Sequence, residues 1–322
     1  MHVFLYIFCH NIIPIFIVIL CGFFLNRVFT LDINTLSKIN LYLFVPVFTF
    51  VNLYSTTIDM QMIKTIAFGL IMVGVYMLAA EVVVKLRGYE LRLASAFKNA
   101  VMFYNSGNIG LPLITLVFSS APYVIDGYTP YLHLAVTTQI MIMVVQNVTT
   151  NTVGVFNAGK ACLTWQQAVK IILQMPTIYA IPLAWFCKQL PIDLMQTSIW
   201  PGLEFIRQGM VAVALVTLGA QLSRTSFNLA DCEIYLASVM RLMGGPLLAL
   251  IVLKVLHFEG VAAQTLMISS AVPTAVNTAL IAVEFNNRPD FAAQAVMVST
   301  LFSALTLTLT IYSARILFPL SL

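Results

Sequence analysis

Ten runs of largely apolar residues divide this chain, at roughly 5–26, 34–54, 62–85, 93–118, 130–156, 166–187, 198–222, 233–256, 261–284 and 290–318. Each approaches the length of about 20 residues that a helix needs to cross a bilayer. Hydrocarbon gives a backbone no hydrogen-bonding partner, so spans of this kind fold as helices. Only 9% of the residues are charged, against about 25% in soluble domains. A chain this poor in charge cannot cover itself with a water-facing surface. It reads as an all-α integral membrane protein, a single unit over 1–322, with the lipid bilayer as its surroundings. The run from Ile12 to Leu25 ends at Asn26-Arg27 with no basic segment before it and no small-residue cleavage site after it. It therefore reads as the first span rather than a cleavable signal.

Two runs are interrupted. Asn105-Ser106-Gly107-Asn108-Ile109-Gly110-Leu111-Pro112 places amides, glycines and a proline inside the fourth. Ser269-Ser270-Ala271-Val272-Pro273-Thr274-Ala275-Val276-Asn277-Thr278 does the same in the ninth. Gly and Pro weaken a helix ladder, and amides find no partner in lipid. The reading is that helices 4 and 9 are broken, cross near the membrane centre and build a site for a small solute.

Proline spacing relates the two halves. Pro14 and Pro176 are 162 residues apart, Pro112 and Pro273 161, and Pro130 and Pro289 159. They fall in spans one and six, four and nine, and just before five and ten. Each half, 1–157 and 158–322, then holds five spans. An odd number reverses the second copy in the membrane, so the expected fold is ten transmembrane helices as two inverted five-helix repeats, a common transporter plan. Lysine and arginine set the orientation. The loops after spans one, three, five, seven and nine, with their flanks, hold Arg27, Lys38, Lys85, Arg87, Arg92, Lys98, Lys160, Lys170, Arg224 and Arg288. The other face holds Lys64, Lys188, Lys254 and Arg315. The positive-inside bias puts both termini on the non-cytoplasmic side.

The breaks carry a charge logic. The first N–H groups of a helix lack partners, and its N-terminus behaves as roughly half a positive charge. In inverted repeats two such ends converge, approximating one positive charge without a basic side chain. A carboxylate is the natural guest. Pro112 and Pro273 suit the first turns of the outgoing half-helices, and Asn108 and Ser270 suit their caps. Asn105, Asn108, Asn277, Gln146 and Asn147 offer amide donors. Thr149, Thr150, Asn151 and Thr152 lie nearer the end of the fifth span and read as packing or cavity lining.

Charges inside spans have local explanations. Glu81 with Lys85, and Glu204 with Arg207, sit at helical pairing distance. Arg241 is left to contact helix-end carbonyls or headgroups. No metal-ligand spacing, cofactor motif or catalytic constellation is present. Ser106 lacks the G-x-S-x-G context of a nucleophile, and no basic run of nucleic-acid type occurs. The five cysteines, Cys9, Cys21, Cys162, Cys187 and Cys232, are scattered and read as apolar packing residues.

At these residues the sequence resembles the auxin efflux carrier family, which includes plant PIN-type carriers and bacterial members described as malonate or malate permeases. Ala271 to Asn277 carries the strongest match, continuing through Glu284-Phe285-Asn286-Asn287-Arg288-Pro289-Asp290, Ala292 to Val296 and Ser299-Thr300-Leu301. Asn105 to Pro112 looks like the family's fourth-helix motif, and Gln146-Asn147 like its fifth-helix pair. Pro46, Gly219, Arg241 and Pro246 also fit. Val213 stands where bacterial members often have a proline, and Arg207 is outside the pattern.

The resemblance implies a secondary transporter of small organic anions, malonate-like, malate-like or auxin-like, and not an enzyme. It implies an elevator motion, with a scaffold of helices at about 5–54 and 166–222 and a transport domain at about 62–156 and 233–318. It implies a homodimer through the scaffold and a bacterial inner membrane. The substrate-binding residues are expected to be Asn105, Ser106, Asn108, Gln146, Asn147, Thr274 and Asn277, with Gly107, Gly110, Pro112 and Pro273 making the breaks. A sodium-coupled carrier of a neutral or weakly charged solute, and a channel or sensor, are the competing readings.

Overall fold

The computed structural model describes residues 2–55, 60–159, 173, 176–224 and 231–320. The described chain is helical almost throughout, and its β-pairing is confined to two isolated bridges. In chain order the helices are α1 (Phe4–Phe29), α2 (Ile33–Ser55), α3 (Met60–Arg87), α4 (Leu91–Met102), α5 (Ser106–Phe118), α6 (Leu132–Ala158), α7 (Pro176–Lys188), α8 (Trp200–Leu222), α9 (Cys232–Val255), α10 (Gly260–Ser269), α11 (Val276–Glu284) and α12 (Pro289–Leu317).

Seven of these, α1, α2, α3, α6, α8, α9 and α12, are each long and apolar enough to cross a membrane. The fourth and ninth expected spans are the interrupted pairs α4–α5 and α10–α11. Helix α7 is the described part of the sixth. The first residues of that span, with Lys160, Cys162 and Lys170, lie outside the described residues.

Local chemistry sets the ends. Asp32 caps α2, accepting from the Asn34 N–H at 3.0 Å and the Thr35 hydroxyl at 2.6 Å. The Thr35 hydrogen bond holds its carboxyl below the usual carboxylate range. Asp231 caps α9 through the Glu233 N–H. Gly88 ends α3 with a positive φ of 64°. Among the described residues, five helices contain a π-helical turn: Phe8–Ile12, Asn40–Phe44, Ser106–Gly110, Thr150–Gly154 and Met240–Gly244. Such turns gather at functional sites, and four of these five border or hold the features described below.

Helices α1 and α8 pack along each other more extensively than any other pair. Small residues make this possible: a Cβ on Gly219 would overlap the Ile19 carbonyl, and one on Gly22 would overlap Val216. Close backbone approach through small residues is how membrane helices gain contact when burying apolar area gains nothing. Helix α2 packs on α7 and α8. Helix α3 lies against α4 and α6, α6 against α10, and α12 against α9, α10 and α11. Large apolar side chains are left facing outward in stripes, among them Leu247, Ile251 and Val255 on α9. Lipid covers such surface at no cost, whereas a water-soluble protein rarely exposes it.

Two of the expected in-span pairs form. Arg207 donates to Glu204 from Nε at 2.8 Å. Glu81 meets Lys85 at 3.8 Å and also Lys98 on α4. Helix α8 runs unbroken through Val213.

Candidate functional site

The two interruptions meet. Helix α4 ends at Met102, and Phe103 turns extended at φ −109° and ψ 127°. Helix α10 ends at Ser269, and Ala275 is extended at φ −68° and ψ 135° before α11 begins. The extended links run antiparallel. Asn105 donates its N–H to the Pro273 carbonyl at 2.8 Å, and Ala275 donates to Phe103 at 3.0 Å. Tyr104 and Thr274 face each other in the resulting bridge. Each break thus satisfies backbone groups of the other, as backbone in an apolar interior requires.

The caps differ from the expectation. Asn105, not Asn108, caps α5: its Oδ1 accepts from the Asn108 N–H at 3.2 Å. Its carbonyl also accepts from Ile109 and Gly110. Ser270 sits at the C-terminal end of α10, and α11 starts after Ala275 with no side-chain cap. Pro273 lies in the extended link rather than in a first turn, because its carbonyl is a bridge acceptor. Pro112 follows the π-helical turn at the start of α5.

A cavity of about 190 Å³ opens beside the bridge. The starts of α5 and α11 both reach it, through Ser106, Gly107 and Asn108 on one side and Val276 and Asn277 on the other. Gln146 and Asn147 of α6 complete that wall. Six of the seven expected binding residues, Asn105, Ser106, Asn108, Gln146, Asn147 and Asn277, therefore line one space. Thr274 does not. Its hydroxyl donates to the Ala100 carbonyl at 2.9 Å, and its N–H donates to the Ser299 hydroxyl. Gly107 lines the cavity, while Gly110 packs against Gln139, whose Nε2 donates to the Ser106 carbonyl at 2.9 Å.

The polar groups are unevenly satisfied. Gln146 Oε1 accepts from the Tyr104 N–H at 3.2 Å, and its Nε2 has no partner. Asn105 Nδ2 is also buried and unpartnered. A buried polar atom left alone costs about 1–3 kcal/mol. Among the described residues no Asp, Glu, His, Lys or Arg lines the cavity. Its polar lining comes from amides, hydroxyls and the starts of α5 and α11.

The opposite wall contains residues that sequence reasoning missed: Ser37 and Asn40 of α2, and Thr217 and Gln221 of α8. Asn40 donates to Asn108 Oδ1 at 3.0 Å, and Gln221 donates to the Ser37 hydroxyl at 3.3 Å. The only signal for them is a polar residue inside or at the end of an apolar run. Ser37, Gln221, Val276 and Leu280 also line a second cavity of about 420 Å³, which reaches Asn34, Arg224 and Asp290. These shared residues place the second cavity next to the first, toward the chain end of α8 and the start of α12.

One more residue belongs to the crossing. Arg241, in the π-helical turn of α9, is fully buried. Its Nη1 donates to the Val101 carbonyl at 2.8 Å and its Nη2 to the Tyr76 hydroxyl at 3.0 Å and to the Ser270 carbonyl.

Long apolar helices around a polar cavity define a multi-pass integral membrane protein. A family model described as Membrane transport protein matches residues 7–311, and the chain belongs to that family, the auxin efflux carriers. The protein is accordingly a membrane transporter, of a family whose members are transporters and not enzymes. No curated protein matches the sequence.

Proposed function

We propose that the protein is a secondary transporter of small organic anions, carboxylates of malonate, malate or auxin type. One observation carries the reading: two helix N-termini reach one small cavity that is lined by amide side chains and, among the described residues, by no basic one. Such ends favour an anion. The carboxylate would sit among Asn105, Asn108, Gln146, Asn147 and Asn277.

The architecture proposed with it is ten spans in two inverted repeats, 1–157 and 158–322. Packing supports this, because contacts recur under exchange of the halves. Helix α1 on α8 answers to α7 on α2, α3 on α4 to α9 on α10, and α3 on α6 to α9 on α12. The extended bridge has the same exchange symmetry. We further propose an elevator, in which α3–α6 and α9–α12 carry the crossing past a scaffold of α1, α2, α7 and α8. The scaffold would also form a homodimer, in a bacterial inner membrane with both termini non-cytoplasmic. The neighbouring second cavity, which reaches Arg224, supports a state open to the cytoplasm.

Counterflow in proteoliposomes tests the class. A carrier shows uptake stimulated by substrate on the far side, and a channel shows none. Replacing sodium with potassium or choline separates an anion carrier from a sodium-coupled one. Loss of uptake without sodium would favour the latter.

A further inference from the structure

We infer that Arg241 is the resident counter-charge of the crossing, a positioning residue that occupies the place an inorganic cation would otherwise take. It follows from where its bonds go. Val101 lies in the last turn of α4 and Ser270 at the C-terminal end of α10. The carbonyls at a helix C-terminus carry roughly half a negative charge. Two such ends converge on the guanidinium, which offers only donors. In transporters with discontinuous helices, freed carbonyls of this kind coordinate sodium. Here a side chain fills that role.

The surroundings are built for it. The guanidinium carbon lies 4.4 Å from the Tyr76 ring centroid and 4.7 Å from that of Tyr104. Both faces are attractive to a cation. Among the described residues no carboxylate pairs with it. Helix ends and aromatic faces therefore supply the compensation that a buried charge requires. Gly245, one turn further along α9, leaves the space: a Cβ there would overlap Arg241 Nη2 and the Ser270 carbonyl. With the C-terminal ends neutralised by Arg241, the N-terminal ends on the cavity side keep their positive character for an anion. The crossing is electrically complete without a bound metal ion.

The test uses thermal unfolding of the purified full chain and no carboxylate ligand, so it stands apart from the anion reading. In choline, potassium and sodium chloride at equal ionic strength, the wild type should show one midpoint. Arg241→Ala should lower the midpoint by several degrees in choline. Millimolar guanidinium, with urea as control, should restore part of the loss. Three results overturn the inference: a sodium-specific rise in the wild type, an Arg241→Ala protein as stable as wild type, or a loss that no cation relieves. If Arg241→Ala does not fold, Gly245→Ala displaces the guanidinium and keeps the charge. It should acquire a midpoint that depends on the cation present, and a midpoint as salt-indifferent as that of wild type would contradict the proposal.

Discussion

Asn105 and Pro273 are joined by a 2.8 Å hydrogen bond from the backbone N–H of one to the carbonyl of the other. They are far apart in sequence and lie in the two halves of the chain. The bond makes each broken helix the other's backbone partner. It also fixes where the starts of α5 and α11 point, and so where the cavity is.

Asn105 performs two tasks that one substitution can separate. Its Oδ1 caps α5, and its Nδ2 is an unpartnered donor. Asn105→Asp keeps the cap and replaces the donor with a negative charge. The variant should fold with a midpoint near that of wild type and lose carboxylate binding by at least about tenfold, the loss of a charge-assisted hydrogen bond of roughly 1.5–3 kcal/mol. Thermal unfolding with and without ligand reads both. Asn105→Ala, in contrast, should cost about 1 kcal/mol of stability through the lost cap.

Among the described residues that line the cavity there is no Asp, Glu, His or Cys. Affinity for a fully ionised carboxylate should then be flat between about pH 5 and 8, where histidine would otherwise act. Below that window it should fall only as the ligand's own carboxyl is protonated. Calorimetric titration at several pH values checks this, and a protein-borne step near neutrality would point to a titrating group at the site.

Asn40 and Asn108 link α2 to α5 across the cavity at 3.0 Å. If α5 travels past α2, joining these positions must stop transport and spare binding. In a variant lacking the native cysteines, Asn40→Cys with Asn108→Cys treated with a short thiol cross-linker should lose counterflow, and reduction should restore it. Unchanged counterflow in the cross-linked protein would contradict relative movement of these helices.

Gly219 concerns stability alone. Its Cβ would overlap the Ile19 carbonyl, so Gly219→Ala should push α1 from α8 at a cost of about 1–3 kcal/mol. The midpoint should fall while the ligand-induced shift survives.

Much of this was legible in the sequence, for physical reasons. Seven expected spans appear as continuous helices because long apolar runs have no other solution in lipid. The breaks announce themselves because Gly, Pro and Asn are out of place in such runs. Local pattern could not assign the caps: Asn105 and Asn108 both have the chemistry, and the bridge to Pro273 decides between them. Nor could it find Asn40, Thr217 and Gln221, which reach the cavity through packing of helices distant in the chain. Arg241 was recognisable as anomalous, and helix-end carbonyls were among its expected partners. That it joins the ends of two different half-helices needed the crossing itself.

Asn277 gives the most direct test of the central claim. It sits in the first turn of α11, lines the cavity and, among the described residues, supports no other part of the fold through a side-chain hydrogen bond. The measurement is a thermal-stability screen of small carboxylates on wild type and Asn277→Ala, with and without sodium. The account predicts that at least one carboxylate raises the wild-type midpoint irrespective of sodium. It predicts that Asn277→Ala unfolds near the wild-type temperature but needs about 10- to 100-fold more ligand for the same shift. A broad panel in which no carboxylate stabilises the wild type, or in which Asn277→Ala responds as the wild type does, would contradict an anion site at the crossing.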